Sequence, residues 1–521
     1  MKTRLLAFTL GLGLAAYGAF GQPVQLQLSD VQTVIAQSVT RAAQISPNSV
    51  VAVVDREGFV LGVWSVNGAA PAPAILANAI AKAGTASFLS SDQNAFTSRT
   101  AGFIVQQNFP PGVQNSGPGP LVGVNFSNLQ FSDINRLKLP GAANTIVTNV
   151  SNPGSTAYIK TAVPQPVTGG LAGTPGGVPL YINGYLVGGV GVAHIDDATA
   201  VQVQQVATLD EDVALAGQTG YRPNPVIFGS NVTINGFRVP YVNSTTSLGA
   251  VSPFGTIGAN VPGYPLTASP PLFPYPTIFL GGLTNQVRQP IISDPGADLI
   301  NGQARLSSNE VQSILALAAD RARTTRAGIR LPRGQQMEVF ITVVNNPNTN
   351  GIAPLVLGTI RTPGATMFSW DVAVQKARTA VFFSSSEYAF SVRAVGFLAQ
   401  EFYPPGINGT EPGIFWGMQE RFSMFPQGAL NPLDGVVVTN VPAIDPNLPN
   451  GITIFPGGFP LYRNGVVIGA IGVSGDGVDQ DDLVAASGTA NFPAPVPIRT
   501  DQYFYSNARL PYAKFPRNPA L

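Results

Sequence analysis

The chain has 521 residues, 11% of them charged, a formal net charge of +1 and no cysteine. The lack of cysteine excludes disulfides, thiolate metal sites, a cysteine nucleophile and a lipoprotein anchor. The near-zero net charge does not favour a nucleic-acid partner, and a hydrophobic content of 45% is enough for two cores.

The N-terminus has the pattern of a signal peptide. Lys2 and Arg4 precede an apolar run over residues 5–16, and small residues follow at 19 and 21. We expect a signal peptide over residues 1–21, with cleavage before Gln22. The alternative is an uncleaved anchor, but the run is shorter than the roughly 20 residues of a membrane span. Pro, Gly or polar residues interrupt every later apolar run. We therefore expect a secreted or periplasmic protein with no transmembrane segment after cleavage.

A first unit is predicted over residues 22–241. Ser29 and Gln32 suggest a capping box at the start of a helix that ends near Pro47. Two β-branched runs flank residues 55–58 and predict a hairpin, and an alanine-rich helix is expected over 74–88. Residues 112–175 are an irregular insertion, after which Asn183-Gly184 predicts a second hairpin and a helix is expected over 196–215.

The rest of the chain divides into a linker and a second unit. Residues 242–305 hold nine prolines in sixty-four positions, and we interpret them as an extended linker. The second unit is predicted over 306–521. It opens with a capping box of Ser307 and Glu310 and closes with a hairpin at Asn464-Gly465.

The two units are copies of one another. AIAKAGTASFLSS from Ala79 and AVQKARTAVFFSS from Ala373 share eight of thirteen positions, at an offset of 294. The closing hairpins, from Gly176 and Gly457, share ten of seventeen positions. Repeats in this order indicate a duplicated structural unit.

These motifs resemble the GlcG/HbpS-like haem-binding family, also called DUF336. The resemblance is carried by the K-A-x-T-A helix of each copy, by residues 457–473 and by the S-G-D-G-V-D-Q-D-D run from Ser474. It implies an α+β fold of two tandem profilin-like units, each an antiparallel sheet with packed helices. It also implies haem or a related tetrapyrrole as ligand, and some members of the family are secreted oligomers.

Five residues are candidates for ligand binding. His194 is the only histidine and lies in a turn that differs between the copies, so it is either a haem axial ligand or a surface histidine. Lys82 and Lys376 recur in the alanine-rich helices, where they could contact a ligand acid or extend to solvent. Arg99 and Arg393 also recur, for a carboxylate contact or a structural ion pair. The acidic run around Asp479 and Asp481 favours a helix N-terminus over a cation site.

The sequence therefore predicts a non-catalytic binding protein for a small haem-like ligand, with a homo-oligomer as an expected assembly. Two alternatives stay open. One is a structural or assembly module of the cell envelope. The other is an enzyme of unknown reaction, which would need a convergent polar constellation that no spacing in the sequence indicates.

Overall fold

A computed structural model describes most of both units. The residues it describes are 24–105, 109–110, 113, 119, 121, 171–194, 207–234, 236–269, 275–328, 334–407, 409–418, 445–448 and 451–514. The predicted signal peptide and most of the insertion over 112–175 lie outside them. Within them, no helix is long and apolar enough to cross a membrane.

The first unit is a five-stranded antiparallel sheet between helices, with strand order β3-β4-β1-β2-β7. Its strands are β1 Val50–Asp55, β2 Val60–Ser65, β3 Gly177–Ile182, β4 Tyr185–Ala193 and β7 Ala259–Asn260. Its helices are α1 Leu28–Ile45, α2 Pro73–Leu89, α3 Ser98–Ile104 and α4 Leu209–Gly217. Val51 and Val53 pack with α1, while Val50 and Val54 pack with α2. Both faces of the sheet are covered, which is why β1, β2 and β4 are apolar at most positions.

The second unit repeats this arrangement with one more strand, in the order β12-β13-β10-β11-β9-β8. Its strands are β8 Thr277–Leu280, β9 Leu283–Gln289, β10 Val339–Asn345, β11 Val356–Arg361, β12 Gly458–Arg463 and β13 Val466–Gly475. Its helices are α5 Ser308–Arg323, α6 Phe368–Phe382, α7 Val392–Leu398 and α8 Val478–Gly488. Each unit also carries a small hairpin, formed by β5 Thr233–Ile234 with β6 Phe237–Arg238 and by β14 Phe504–Tyr505 with β15 Ala508–Arg509. The predicted α+β class and tandem architecture are confirmed.

Most predicted elements form where expected. The alanine-rich helix, the β1–β2 hairpin and the Ser307–Glu310 capping box are present, and Asn183 and Asn464 take positive φ angles of 52° and 49° at their turns. The box at Ser29 was wrong, because the N-cap is Gln27, two residues earlier, and the Asp30 carboxylate accepts from the Gln27 N–H. The helix expected over 196–215 begins at Leu209, and residues 195–206 lie outside the described part of the chain.

Residues 242–305 contribute to both sheets in addition to connecting the units. Strand β7 pairs with β2, and β9 pairs with β11. The Trp64 indole N–H donates to the Ile257 carbonyl at 2.8 Å. The described prolines of this segment, at 253, 262, 265, 276, 290 and 295, lie outside the strands, where the missing N–H breaks no ladder.

The units are joined by a buried ion cluster around Glu57. This residue lies in the β1–β2 turn of the first unit. Its carboxylate accepts from Nη1 of Arg361, on β11 of the second unit, at 2.6 Å and from Nη2 of Arg288, on β9, at 3.0 Å. The Arg288 guanidinium carbon lies 3.4 Å from the centroid of the Tyr275 ring. Burial opposes the charge of Glu57, but the two arginines outweigh burial and lower the pKa of Glu57 to about 2. The first unit thus supplies an anion that neutralises two buried cations on neighbouring strands of the second sheet.

Replacing Glu57 with Gln should lower the free energy of unfolding by about 3–5 kcal/mol, because Arg288 and Arg361 stay buried without their counter-charge. The ordinary pKa of a glutamate is 4.5, and that of Glu57 is about 2. The stabilisation from Glu57 is therefore full above the higher value and is lost as the pH falls toward the lower one. Urea unfolding of wild type and Glu57→Gln at neutral and acidic pH measures this.

The matched control is Asp92→Asn, which removes the charge from the more exposed Arg56–Asp92 pair near the same turn. Such a pair contributes about 0–1 kcal/mol. If Glu57→Gln costs no more than this control, the buried cluster does not hold the units together.

Candidate functional site

Glycines bring the alanine-rich helix of each unit directly onto its sheet. A Cβ at Gly191 would overlap the Ala79 carbonyl, and one at Gly177 would overlap the Lys82 carbonyl. The second unit repeats this at Gly472, whose Cβ would overlap the Ala373 carbonyl. Because no side chain separates helix from sheet, a long residue on this face of the helix must extend along the sheet surface.

Lys82 is that residue in the first unit, and its side chain is 0% exposed. Its ammonium donates to Asp210 Oδ2 at 2.8 Å and to the Val192 carbonyl, at the end of β4, at 3.0 Å. Asp210 lies in the first turn of α4. Lys82 therefore joins α2 on one face of the sheet, the end of β4, and α4 on the opposite face.

Lys376 makes the same contacts in the second unit. Its ammonium donates to Asp481 Oδ2 at 2.8 Å and to the Val473 carbonyl at 2.8 Å. Asp481 lies in the first turn of α8, as the acidic run predicted. The pair is thus a duplicated structural element.

The two copies differ at one neighbour of this pair. In the first, His194 Nδ1 lies 2.6 Å from Asp210 Oδ1, and the imidazole side chain is 17% exposed. In the second, Gly475 occupies the position of His194, and Asp481 Oδ1 makes no hydrogen bond of ordinary geometry. His194 therefore bonds the second oxygen of the aspartate in the first unit, and no histidine does so in the second.

This difference changes the electrostatics of the two aspartates. Burial disfavours the charge of Asp210, but Lys82 and His194 outweigh it and lower the pKa of that carboxyl. Burial raises the pKa of Asp481 to about 6, and Lys376 opposes this only in part. Burial also lowers the pKa of Lys376. The charged form of the pair is therefore better stabilised in the first unit.

The recurrent arginines form a second pair of buried contacts. Arg99 is 0% exposed and holds Glu211 through two hydrogen bonds, Nε to Oε1 at 2.7 Å and Nη2 to Oε2 at 3.0 Å. Arg393 donates to Asp482 at 2.7 Å and to Asp479 at 2.6 Å. These contacts tie α3 to α4 and α7 to α8.

The structure brings His194 together with Lys82 through one carboxylate, and it places Arg99 on the next residue of the same helix. Sequence reasoning did not identify Asp210 and Glu211 as partners. The signal was present, because the Arg-x-Pro-Tyr motifs at Arg238 and Arg509 are offset by 271 and the same offset aligns 210–211 with 481–482. The predicted carboxylates beside His194, at 196 and 197, lie outside the described residues.

The described hydrogen bonds of the two lysines and two arginines go to groups of their own unit. Direct ligand contact by these four residues stays a prediction. Among the described residues, no group of three or more histidine or acidic side chains could hold a metal ion. The chemistry that the first site offers is an imidazole whose orientation is set by a buried carboxylate.

Comparisons with known proteins give one family. Residues 26–207 and 306–490 match the family model described as "Haem degrading protein HbpS-like". The corrinoid adenosyltransferase PduO of Salmonella typhimurium is 25% identical over 184 residues, which are 35% of this chain and 40% of PduO. The chain thus matches less than half of that relative's length.

Solved structures that are similar have low overall superposition scores. A PduOC–haem complex is 21% identical, with a TM-score of 0.24, over 37% of this chain and 98% of that one. Klebsiella pneumoniae ORFY, a DUF336 protein, is 20% identical, with a TM-score of 0.22, over 38% and 93% of the two chains. A double mutant of Streptomyces reticuli HbpS is 19% identical, with a TM-score of 0.22, over 39% and 98%.

Replacing Asp210 with Asn should cost about 3–5 kcal/mol of unfolding free energy at neutral pH, because it leaves the Lys82 ammonium buried without a counter-charge. Replacing Asp481 with Asn should cost less. The pKa of Asp481 is about 6 in the folded chain, against an ordinary value of 3.8, so the wild type loses stability as the pH rises through this interval. The cost of Asp481→Asn therefore shrinks over the same interval. Asp210 has a lowered pKa, so its contribution is kept above the ordinary value and is lost only as the pH falls below it.

Urea unfolding of both variants at several pH values between 4 and 7 checks this. The matched positions act as controls for one another, since each substitution removes one carboxylate charge from the same fold. Equal costs with the same pH profile would contradict the asymmetry.

Proposed function

The chain belongs to the HbpS-like family, and on that premise we propose that it is an extracytoplasmic, non-catalytic protein that binds haem or a related tetrapyrrole through its first unit. Family membership supports the ligand class. The site geometry supports the choice of unit.

The observation that carries this proposal is the 2.6 Å contact between His194 Nδ1 and Asp210 Oδ1. Protein histidines that bind a metal through one ring nitrogen commonly place the other against a carboxylate, which sets the tautomer and the ring orientation. Nδ1 is the nitrogen held by Asp210, so Nε2 is the nitrogen assigned to the iron of a bound haem. An imidazole suits that iron.

Lys82 positions the Asp210 carboxylate in this arrangement. It is fully buried and bonds the second oxygen of Asp210, so the carboxylate cannot rotate away from His194. Lys82, Asp210 and His194 form a chain of contacts from the core of the unit toward its surface. The rigidity of that chain keeps the imidazole ready for the ligand before binding.

The second unit supplies no equivalent imidazole. Gly475 stands in place of His194, and the chain has no other histidine. Binding through an imidazole therefore predicts one haem per chain, held by the first unit.

Haemin titration of the mature protein should shift the Soret band and saturate at one equivalent. His194→Ala should abolish that shift. Asp210→Asn should weaken binding about 10–100-fold, because the imidazole loses the carboxylate that orients it. Asp481→Asn, the matched change in the second unit, should leave the titration unchanged, and thermal unfolding of each variant verifies that it is folded.

A flat titration of the wild type would overturn the proposal, and so would a Soret shift that His194→Ala retains. Cobalamin as competitor separates haem from a corrinoid ligand. Loss of the Soret band on adding a reductant in air would show that the protein degrades haem, as its family description says, in addition to binding it.

The proposed location rests on the N-terminal pattern of Lys2, Arg4 and the apolar run that follows. Intact-mass measurement of the protein secreted by a bacterial host should give a chain beginning at Gln22. A mass that retains Met1 would contradict export with cleavage.

A further inference from the structure

The second unit carries aromatic residues where the first has aliphatic or polar ones. The pairs, first unit then second, are Leu89 and Phe383, Asn94 and Tyr388, Leu121 and Phe415, Val232 and Tyr503, Thr233 and Phe504, and Ile234 and Tyr505. Shared hydrogen bonds establish the equivalence. Leu121 N–H donates to the Ile104 carbonyl as Phe415 N–H does to Leu398, and Val239 N–H donates to the Val232 carbonyl as Leu510 N–H does to Tyr503. The folds coincide here while the side chains have diverged.

The added rings form one connected region around α7 and the β14–β15 hairpin. Phe383 lies 5.1 Å from Phe415, and Phe390 lies 6.5 Å from Phe415, between ring centroids. Tyr388 lies 5.2 Å from Tyr503, which precedes the hairpin. Tyr403 and Tyr505 are 5.1 Å apart and extend the row. We call this set, with Phe382, Trp416 and Phe504, the aromatic face.

Much of the aromatic face is at the surface. Phe504 is 70% exposed, Tyr388 45% and Trp416 40%. Phe88, the first-unit counterpart of Phe382, is 1% exposed, whereas Phe382 is 40% exposed. A contiguous exposed apolar patch of this kind marks an interaction site more often than an isolated surface ring does.

Acidic side chains have been added in the same region. Glu387, Glu401 and Glu411 are all exposed, and their first-unit counterparts are Gln93, Gln107 and Gly117. Within the described part of the chain, none of the three carboxylates has a salt-bridge partner.

Two of these glutamates neighbour rings of the face along the backbone. Glu387 precedes Tyr388, and the Glu411 carbonyl accepts from the Tyr403 N–H at 3.0 Å. The nearby cation Arg499 is neutralised by Asp501 at 2.6 Å, and Arg509 donates its Nε to the Asp501 carbonyl.

We propose that the aromatic face with its three glutamates is a docking site for a basic polypeptide segment rich in arginine. Guanidinium groups stack on aromatic rings and pair with carboxylates, and this part of the second unit carries both kinds of partner. The rings and carboxylates extend from the end of α6 to the terminal hairpin, which matches several cations along a chain rather than one small cation. Charge complementarity selects this partner over a neutral glycan, which would have no use for the added glutamates. This site is separate from His194 and does not depend on the proposed haem binding.

The test uses the full mature chain and a fluorescent oligo-arginine peptide, with binding followed by anisotropy. The key variant places first-unit residues in the second unit: Glu387→Gln, Tyr388→Asn, Glu401→Gln and Phe504→Thr. The first unit carries these residues at the equivalent sequence positions, and thermal unfolding verifies that the variant folds. Binding by the wild type should weaken with added salt, exceed that of an oligo-lysine peptide, and fall on the order of tenfold or more in the variant.

Two further measurements decide between partners. Oligo-serine should not bind, and a neutral oligosaccharide should bind no more tightly to the wild type than to the variant. The proposal is overturned if the variant binds oligo-arginine as the wild type does, if the wild type does not bind it, or if the oligosaccharide is the ligand whose binding the variant loses. His194→Ala should bind the peptide normally, so failure here and failure of haem binding are distinguishable.

Discussion

The buried lysine–aspartate pair is the interaction on which each unit depends. Lys82 and Lys376 can reach their aspartates only because glycines in the strands let the alanine-rich helix rest on the sheet. The pair then joins that helix to the helix on the other face of the sheet. The lysine also bonds a carbonyl near the end of a strand between them, Val192 in one unit and Val473 in the other. Removing either charge would leave the other buried, so the two residues constrain one another.

The same pair is kept in both units while the residue beside it differs. The lysine, the aspartate and the strand carbonyl are kept in both units, whereas the residue beside the aspartate is His194 in one and Gly475 in the other. A structural element that is already rigid orients the side chain beside it at no further conformational cost. One substitution at its edge is therefore enough to give a unit an oriented imidazole.

A cluster of paired charges stabilises the interface between the units. Glu57 neutralises Arg288 and Arg361 across the boundary, and Arg288 lies against Tyr275. Arg288 comes from β9, in the segment between the units. That segment extends both sheets, and so it completes the interface as well as connecting the copies. The tandem chain thus carries His194 in one copy and the aromatic face in the other.

The sequence alone determined the duplication, the α+β units, the turns at Asn183 and Asn464 and the recurrence of Lys82, Lys376, Arg99 and Arg393. These depend on local spacing, apolar periodicity and turn chemistry, which are visible along the chain. Only the tertiary structure decided what the recurrent residues contact, because Asp210 lies 128 positions from Lys82 and Glu57 lies 304 from Arg361. A buried charge takes its partner from whatever carboxylate the packing brings within reach. That choice depends on how helices and strands are layered, which no local pattern specifies.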